Sequence, residues 1–182
     1  MTLRIRRARP GDLDQVLDLL RQATTWLASR GLDQWQDAEP ELRRDRVSAG
    51  ITAGTVWIVE RDDRPVATIT IDATADPELW HDSTDPDNAL YVHRMIVTRN
   101  EAGHQLGAAL LDFAARQATA AGRTWLRLDA WATNTKLHDY YRGQGFTHLR
   151  TTYYAHRGSG ALFQRPARAQ TGRGPTLTLA VD

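Results

Sequence analysis

The chain has 182 residues, 41% apolar and 25% charged, with a formal net charge of +1; this is the balance of one globular domain, too near neutral for nucleic acid to be the default partner. It has no cysteine, which excludes disulfides, thiolate metal sites and cysteine nucleophiles, and its six histidines include no HExxH pair, so no metal is expected. No apolar run reaches the length of a membrane span and the N-terminus lacks a signal-peptide core, so no membrane partner and a cytoplasmic location are the expectations.

Residues 3–8 alternate around Leu3 and Ile5 and predict a first strand. Pro10-Gly11-Asp12 punctuates it. Asp12 is placed to cap a helix whose apolar positions Leu13, Val16, Leu17, Leu20 and Ala23 recur at helical spacing, continue through Trp26 and Leu27, and stop at Gly31. A weaker helical pattern covers 39–49. The β-branched runs 55–60 and 66–71, joined by Asp62-Asp63-Arg64-Pro65, read as a β-hairpin. Residues 72–88 carry six acidic side chains, two prolines and no Lys or Arg, a loop composition.

Residues 90–97 predict a strand. Residues 103–121 predict a helix with Leu106, Leu110, Phe113 and Ala114 on one face and Gly122 as its stop. A strand over 125–130 and a short helix over 134–142 follow, the helix capped by Asn134 and closed by Gly143 and Gly145. Segments 146–154 and 161–164 read as a closing pair of strands. The domain is read as residues 1–166. The tail, 167–182, is rich in Gly, Arg, Thr and Pro and is read either as loose or as giving a Thr/Leu-alternating strand at 176–181. Strand–helix–strand units around one mixed sheet are the expected architecture.

Two segments carry chemistry. Met95, Ile96 and Val97 end a strand, and Ala102-Gly103-His104-Gln105-Leu106-Gly107 opens a helix; the unpaired N–H groups and dipole at such a start suit a pyrophosphate, and glycines let backbone approach it. By itself this is also an ordinary strand–helix turn. Downstream lies Asn134-x-x-Leu137-x-x-Tyr140-Tyr141-x-x-x-Gly145-Phe146. Tyr141 is close to two turns beyond Asn134, and its phenol, protonated at neutral pH, is a reasonable donor to a departing thiolate. A lone tyrosine there would read as core.

Together the two segments resemble the GNAT superfamily of acyl-CoA transferases, over roughly residues 3–165. In that family an apolar-apolar-Val strand end leads, ten residues after the Val, to the last glycine of an Arg/Gln-x-x-Gly-x-Gly/Ala loop; Val97 to Gly107 has this spacing. Two positions depart from the pattern: Ala102 stands where Arg or Gln usually opens the loop, and Gln105 where the first glycine falls. The resemblance implies a central mixed, mostly antiparallel sheet flanked by helices on both faces. It also implies acetyl-CoA as co-substrate and direct transfer of acetyl to an amine while both are bound. In that picture Gly103, His104, Gln105, Leu106, Gly107 and Ala108 hold the pyrophosphate, and backbone N–H groups of Met95, Ile96 and Val97 polarise the thioester carbonyl. Asn134 and Tyr141 sit by the pantetheine arm and sulfur, with Tyr141 as general acid. Asp129 is the first candidate for general base, His93 the second.

The acceptor is open among small amines, aminoglycoside-like compounds, peptide N-termini and protein lysines, with a small molecule favoured. The acidic segment (Asp72, Asp76, Glu78, Asp82, Asp85, Asp87) offers a rim for a cation or is simply a solvated loop. Six tryptophans are many for this length, and at least one of Trp26, Trp35 and Trp131 is expected at the acceptor site. Two rivals stand. One is a transferase of the same fold using aminoacyl-tRNA, for which Arg4, Arg6, Arg7 and Arg9 offer a basic patch. The other is a non-catalytic acyl-CoA-binding module. A homodimer through the closing strands is compatible with the sequence.

Overall fold

The computed structural model describes residues 3–36, 39–83 and 85–180. The first strand, β1 (Leu3–Arg7), buries Leu3 and Ile5 and exposes Arg4, as its alternation requires. A 3-10 turn, Pro10–Asp12, leads into α1 (Leu13–Ser29). Asp12 does not cap α1 with its side chain. Its carboxylate accepts instead from the Arg9 backbone N–H at 2.6 Å and from the Arg6 guanidinium at 2.7 and 3.0 Å; a charge-assisted pair with β1 outcompetes the neutral helix donors. Helix α2 (Pro40–Thr52) runs further than the pattern over 39–49 indicated. The hairpin is β2 (Val56–Arg61) and β3 (Arg64–Asp72), turned on Asp62 and Asp63, both with positive φ (50° and 61°), the conformation that matches strand twist.

After the acidic loop come β4 (Ala89–Val97), α3 (Leu106–Ala120), β5 (Trp125–Trp131) and α4 (Thr135–Gly143). Helix α3 starts three residues later than its apolar spacing suggested, because Gly103 and Gln105 take left-handed torsions (φ 84° and 59°) that a right-handed helix excludes. Then follow β6 (Thr147–Thr151), β7 (Ser159–Pro166) and β8 (Leu177–Leu179). Phe146 is not in β6: its N–H closes α4 on the Tyr141 carbonyl at 3.1 Å. The tail gives a strand, with Leu177 opposite Leu3 and Leu179 opposite Ile5, parallel to β1; Val181, part of the expected span, lies outside the described residues.

The strands form one sheet in the order β6-β7-β5-β4-β3-β2-β1-β8. Pairing is mostly antiparallel; β4–β5 and β1–β8 are parallel. The chain divides into two compact units. One comprises the chain up to Ile71, Arg94–Leu110 and the tail from Arg173. Its core packs Val16, Leu19 and Leu20 of α1 and Val47 and Ile51 of α2 on Ile58 of β2, each such burial contributing about 1.5–3 kcal/mol. The other comprises Asp72–His93 and Leu111–Gly172. There Leu79 and Trp80 of the acidic loop pack on Tyr91 and Leu162, and Tyr141 packs against Tyr140, Phe146 and Phe163 at ring separations of 5.5, 5.8 and 5.7 Å. Among the described residues no helix is long and apolar enough to cross a membrane.

Candidate functional site

Strand β4 is bent in its middle. Arg94 has φ 46°, a torsion uncommon for a residue with a side chain and characteristic of strained positions at functional sites. Before the bend, β4 pairs with β5 in parallel, from Ala89 opposite Trp125 to Val92 opposite Leu128. The residues next in line are His93 and Asp129. His93 Nδ1 stands 3.8 Å from an Asp129 carboxylate oxygen, and His93 Nε2 stands 3.5 Å from one of Asp72, the last residue of β3. The three side chains are 23%, 13% and 24% exposed, buried enough to be held and open enough to be reached. One rung earlier, the Tyr91 hydroxyl donates to the Pro86 carbonyl at 2.8 Å and accepts from Arg127 at 3.3 Å. The two sequence-derived base candidates, His93 and Asp129, therefore meet, and Asp72 joins them.

Asn134 caps α4 as its position predicts, its side-chain oxygen accepting the Leu137 N–H at 3.1 Å. Tyr141, on the same helix, is 8% exposed. Burial pushes its phenol well above its ordinary value, and Tyr140 and the Asp129 charge push the same way. Burial likewise pushes Tyr140 up to about 12. Both are protonated at neutral pH, so Tyr141 is available as a hydrogen-bond donor held in a fixed aromatic setting.

The second segment lies after the bend. Ile96 is buried in the α1–α2 core, while Met95 and Val97 are half-buried. Thr98 donates its N–H to the Val66 carbonyl of β3 at 2.9 Å. Glu101 is 7% exposed and accepts from two nitrogens of the Arg61 guanidinium at 2.7 and 2.8 Å; Arg61 foremost holds its carboxyl below the ordinary range. This pair anchors the loop at its entrance. Ala102, Gly103, His104 and Gln105 are exposed. Gly103 is left-handed with open space around it, Gln105 is left-handed too, and the Gln105 carbonyl accepts the Ala109 N–H at 3.1 Å. Torsions that alternate this way turn successive N–H groups toward one concavity suited to an anion. Leu106, Gly107 and Ala108 form the first turn of α3, whose N–H groups have no carbonyl partner within the helix. Gln105 thus keeps the backbone conformation for which glycine is the default residue, although its side chain differs. The tail backbone crosses this point: a Cβ on Gly174 would fall on the Gln105 carbonyl. The N–H groups of this stretch belong to the backbone, and Ala102 adds no longer side chain to them.

The acidic loop is largely spoken for. Asp76 pairs with Arg157 at 2.7 Å, Glu78 with Arg157 at 3.1 Å and His156 at 3.0 Å, and Asp82 with Arg150 at 2.8 Å. Asp85 accepts from Asn88 at 2.8 Å. Beside His93 stand the carboxylates of Asp72 and Asp129, and the Arg157 guanidinium that holds Asp76 and Glu78 also interacts with Asp129. The basic N-terminal residues are engaged as well. Arg6 is held by Asp12 and Glu60, Arg4 pairs with Asp63, and Arg7 lies 4.8 Å over the Trp57 ring. Trp26 carries Arg99 at 4.2 Å and Arg30 at 5.6 Å, so it stacks on the chain's own cations. Trp35 packs on the α1–α2 core, and Trp131 lies across Gly158, where any Cβ would strike its ring. Arg61, Glu101, Arg157 and Gly158 were not singled out in the sequence; their partners are tens of residues away and leave no periodic signal.

Comparison with known proteins bears on the family and the fold. Residues 13–146 match the family described as acetyltransferase (GNAT) family. An uncharacterized N-acetyltransferase of Bacillus subtilis strain 168, YesJ, is 29% identical over 138 residues, covering 74% of this chain and 76% of its own. A GNAT-family acetyltransferase of Listeria monocytogenes superposes with TM-score 0.74 at 24% identity, covering 90% of this chain and 94% of its own. The PaiA N-acetyltransferase of Thermoplasma acidophilum, solved with coenzyme A, superposes with TM-score 0.70 at 16% identity, covering 91% and 99%.

Proposed function

The chain belongs to the GNAT family of acetyltransferases and is an N-acetyltransferase; on that premise we propose that it moves the acetyl group of acetyl-CoA directly to the primary amine of a small cationic molecule. The observation that carries the proposal is the left-handed backbone at Gly103 and Gln105 ahead of α3, which supports an anion cradle in the place where the family binds the co-substrate's pyrophosphate. Acetyl-CoA supplies the activated acyl group as a thioester. Backbone N–H groups of residues 103–108 hold its pyrophosphate, and those of Met95, Ile96 and Val97 polarise the carbonyl. Holding both reactants replaces a bimolecular encounter with a positioned one. The amine must be neutral to attack, so His93 or Asp129 takes its proton. As nitrogen bonds to the carbonyl carbon and the C–S bond breaks, Tyr141 hydrogen-bonds the departing sulfur and supplies its proton, and the proton that nitrogen sheds as the amide forms returns to Tyr141 by way of water. Asn134, by capping α4, fixes the helix that carries Tyr141. The carboxylates of Asp72 and Asp129 beside His93 support a cationic acceptor.

Titration calorimetry with acetyl-CoA tests the first half: one-to-one micromolar binding is expected, and absence of binding would remove the acyl-CoA reading. Thiol release in the presence of spermidine, kanamycin and tyramine tests the second. Tyr141→Phe is expected to lower kcat by about tenfold or more with unchanged acetyl-CoA affinity. Full activity with an unchanged pH profile would take Tyr141 out of the role.

A further inference from the structure

Asp129 and His93 enter the sequence as alternative bases. The geometry points to a different arrangement: we propose that Asp129, His93 and Asp72 form a single proton relay, with Asp72 as a positioning residue that orients His93 and passes its proton to solvent. The inference rests on the acetyl-transfer reading above and assigns the exit route of the proton which that reaction must release.

Three strands contribute one group each. Asp72 ends β3, His93 is the last residue of β4 before the Arg94 bend, and Asp129 lies on β5 level with it. The two imidazole nitrogens face different carboxylates, Nδ1 toward Asp129 at 3.8 Å and Nε2 toward Asp72 at 3.5 Å. A histidine so bracketed has no ring nitrogen left to meet a substrate directly, whereas a carboxylate has a second oxygen to offer. Separations of this size, without a bound acceptor, tighten in catalytic complexes. Arg94, the next residue, has φ 46°, which interrupts the regular strand torsions directly after His93. Asp72 keeps its other duty as well, accepting the Thr74 N–H at 3.0 Å, which fixes its own carboxylate plane.

The proton inventory balances without a co-reactant. Neutral His93 carries its proton on Nε2, toward Asp72, and presents the Nδ1 lone pair to Asp129. The amine N–H bond breaks as an O–H bond forms on Asp129; that proton moves to Nδ1, and the Nε2 proton moves to Asp72 and then to water. The sum is one proton from amine to solvent: both carboxylates are restored, and His93 is left as its Nδ1–H tautomer, which proton exchange with water returns to Nε2–H before the next turnover. Asp72 from β3 and Asp129 from β5 face His93, Arg157 and the Tyr141 phenol interact with Asp129 from beyond it, and Arg94, next to His93 in β4, reaches Thr70 of β3.

The test uses full-length protein and does not depend on knowing the acceptor. Ring ¹⁵N shifts of His93 report which nitrogen carries the proton. In wild type the Nε2–H tautomer is expected; in Asp72→Asn the balance shifts toward Nδ1–H, facing the remaining carboxylate, and Asp72→Glu restores it. Unchanged ring shifts in Asp72→Asn, with the protein still folded by circular dichroism, would overturn the relay. The second readout is the pH–rate profile with the best amine of spermidine, kanamycin and tyramine. Asp72→Asn is expected to lower the plateau about tenfold and to change the shape of the profile, with Asp72→Glu restoring both; acetyl-CoA affinity stays as in wild type. A uniform loss at every pH would mark Asp72 as merely structural. Failure of wild type to acetylate any of the amines, with the tautomer response intact, would count against the amine-transfer reading rather than against the coupling of the three groups.

Discussion

At Gln105 the backbone takes the shape of a glycine while the sequence supplies a long side chain. The left-handed conformation costs a residue with a Cβ about 1–2 kcal/mol, and here it is retained next to a carbonyl that both starts α3 and lies against the tail at Gly174. Gln105→Gly removes that cost but loosens the unfolded chain by about 0.4–1 kcal/mol. The expected outcome is a small net gain, read as a rise of a few degrees in melting temperature, with acetyl-CoA binding at least as tight. Gln105→Val, β-branched and worse in this region, is expected to lose about 1 kcal/mol or more. Equal stability of the two variants would mean that the loop relaxes out of this conformation. The sequence made the departure at Gln105 visible; the torsion that preserves the loop could not be read from it, because residue identity sets a preference and the surrounding contacts choose the state.

Between elements, the deepest polar contact joins β7, α3 and the start of the tail. Arg165 is 1% exposed and bonds the Leu111 and Gln144 carbonyls at 3.1 and 2.8 Å and Asp112 at 3.1 Å. Asp112 in turn accepts from the Thr171 and Gly172 N–H groups at 3.0 and 2.8 Å and from the Thr171 hydroxyl at 2.9 Å. Burial by itself raises the Asp112 carboxyl; these donors and the Arg165 charge outweigh it and leave it below the ordinary range. Asp112→Ala strands a buried guanidinium and is expected to cost about 3–5 kcal/mol, measurable by urea unfolding. The pH dependence follows with a definite sign. Asp12, through its pair with Arg6, Glu101, through its pair with Arg61, and Asp112 are all lowered in the fold. Each contributes stability that is present above the unfolded carboxyl values, about 4, and is lost as pH falls through the folded ones. Thermal melts from pH 7 to pH 2 should therefore drop steeply at the acid end, and less steeply for Asp112→Ala. A wild-type melting temperature that stays flat to pH 2 would contradict the assignment. At this scale the sequence was legible wherever period carried the signal: α1 from Leu13, Val16 and Leu20, the hairpin from its β-branched runs, α4 from Asn134. It was not legible where an ion pair decided the outcome, as when Arg6 drew Asp12 away from the α1 terminus, or where Asp76 and Glu78 found Arg157 about eighty residues on.

For the molecule as a whole, the sheet order and the match over residues 13–146 agree with what the loop and the Asn134–Tyr141 segment implied. The tail was the part least determined in advance, since the four residues of Thr/Leu alternation within 176–181, next to a Gly- and Pro-rich stretch, do not by themselves distinguish a strand from loose chain. Its pairing with β1 has a further consequence. Without β8, β1 would be the outermost strand on its side, with a row of free N–H and C=O groups able to template the addition of a strand from another molecule. β8 covers Leu3–Ile5 and is itself only three residues long, a short border that offers an incoming strand little to grip. A chain ending at Pro175, which keeps the Thr171 and Gly172 contacts to Asp112, should therefore assemble in a concentration-dependent way, seen by light scattering, while the 182-residue chain under the same conditions does not. The last residues would then serve colloidal stability, keeping copies of the protein apart.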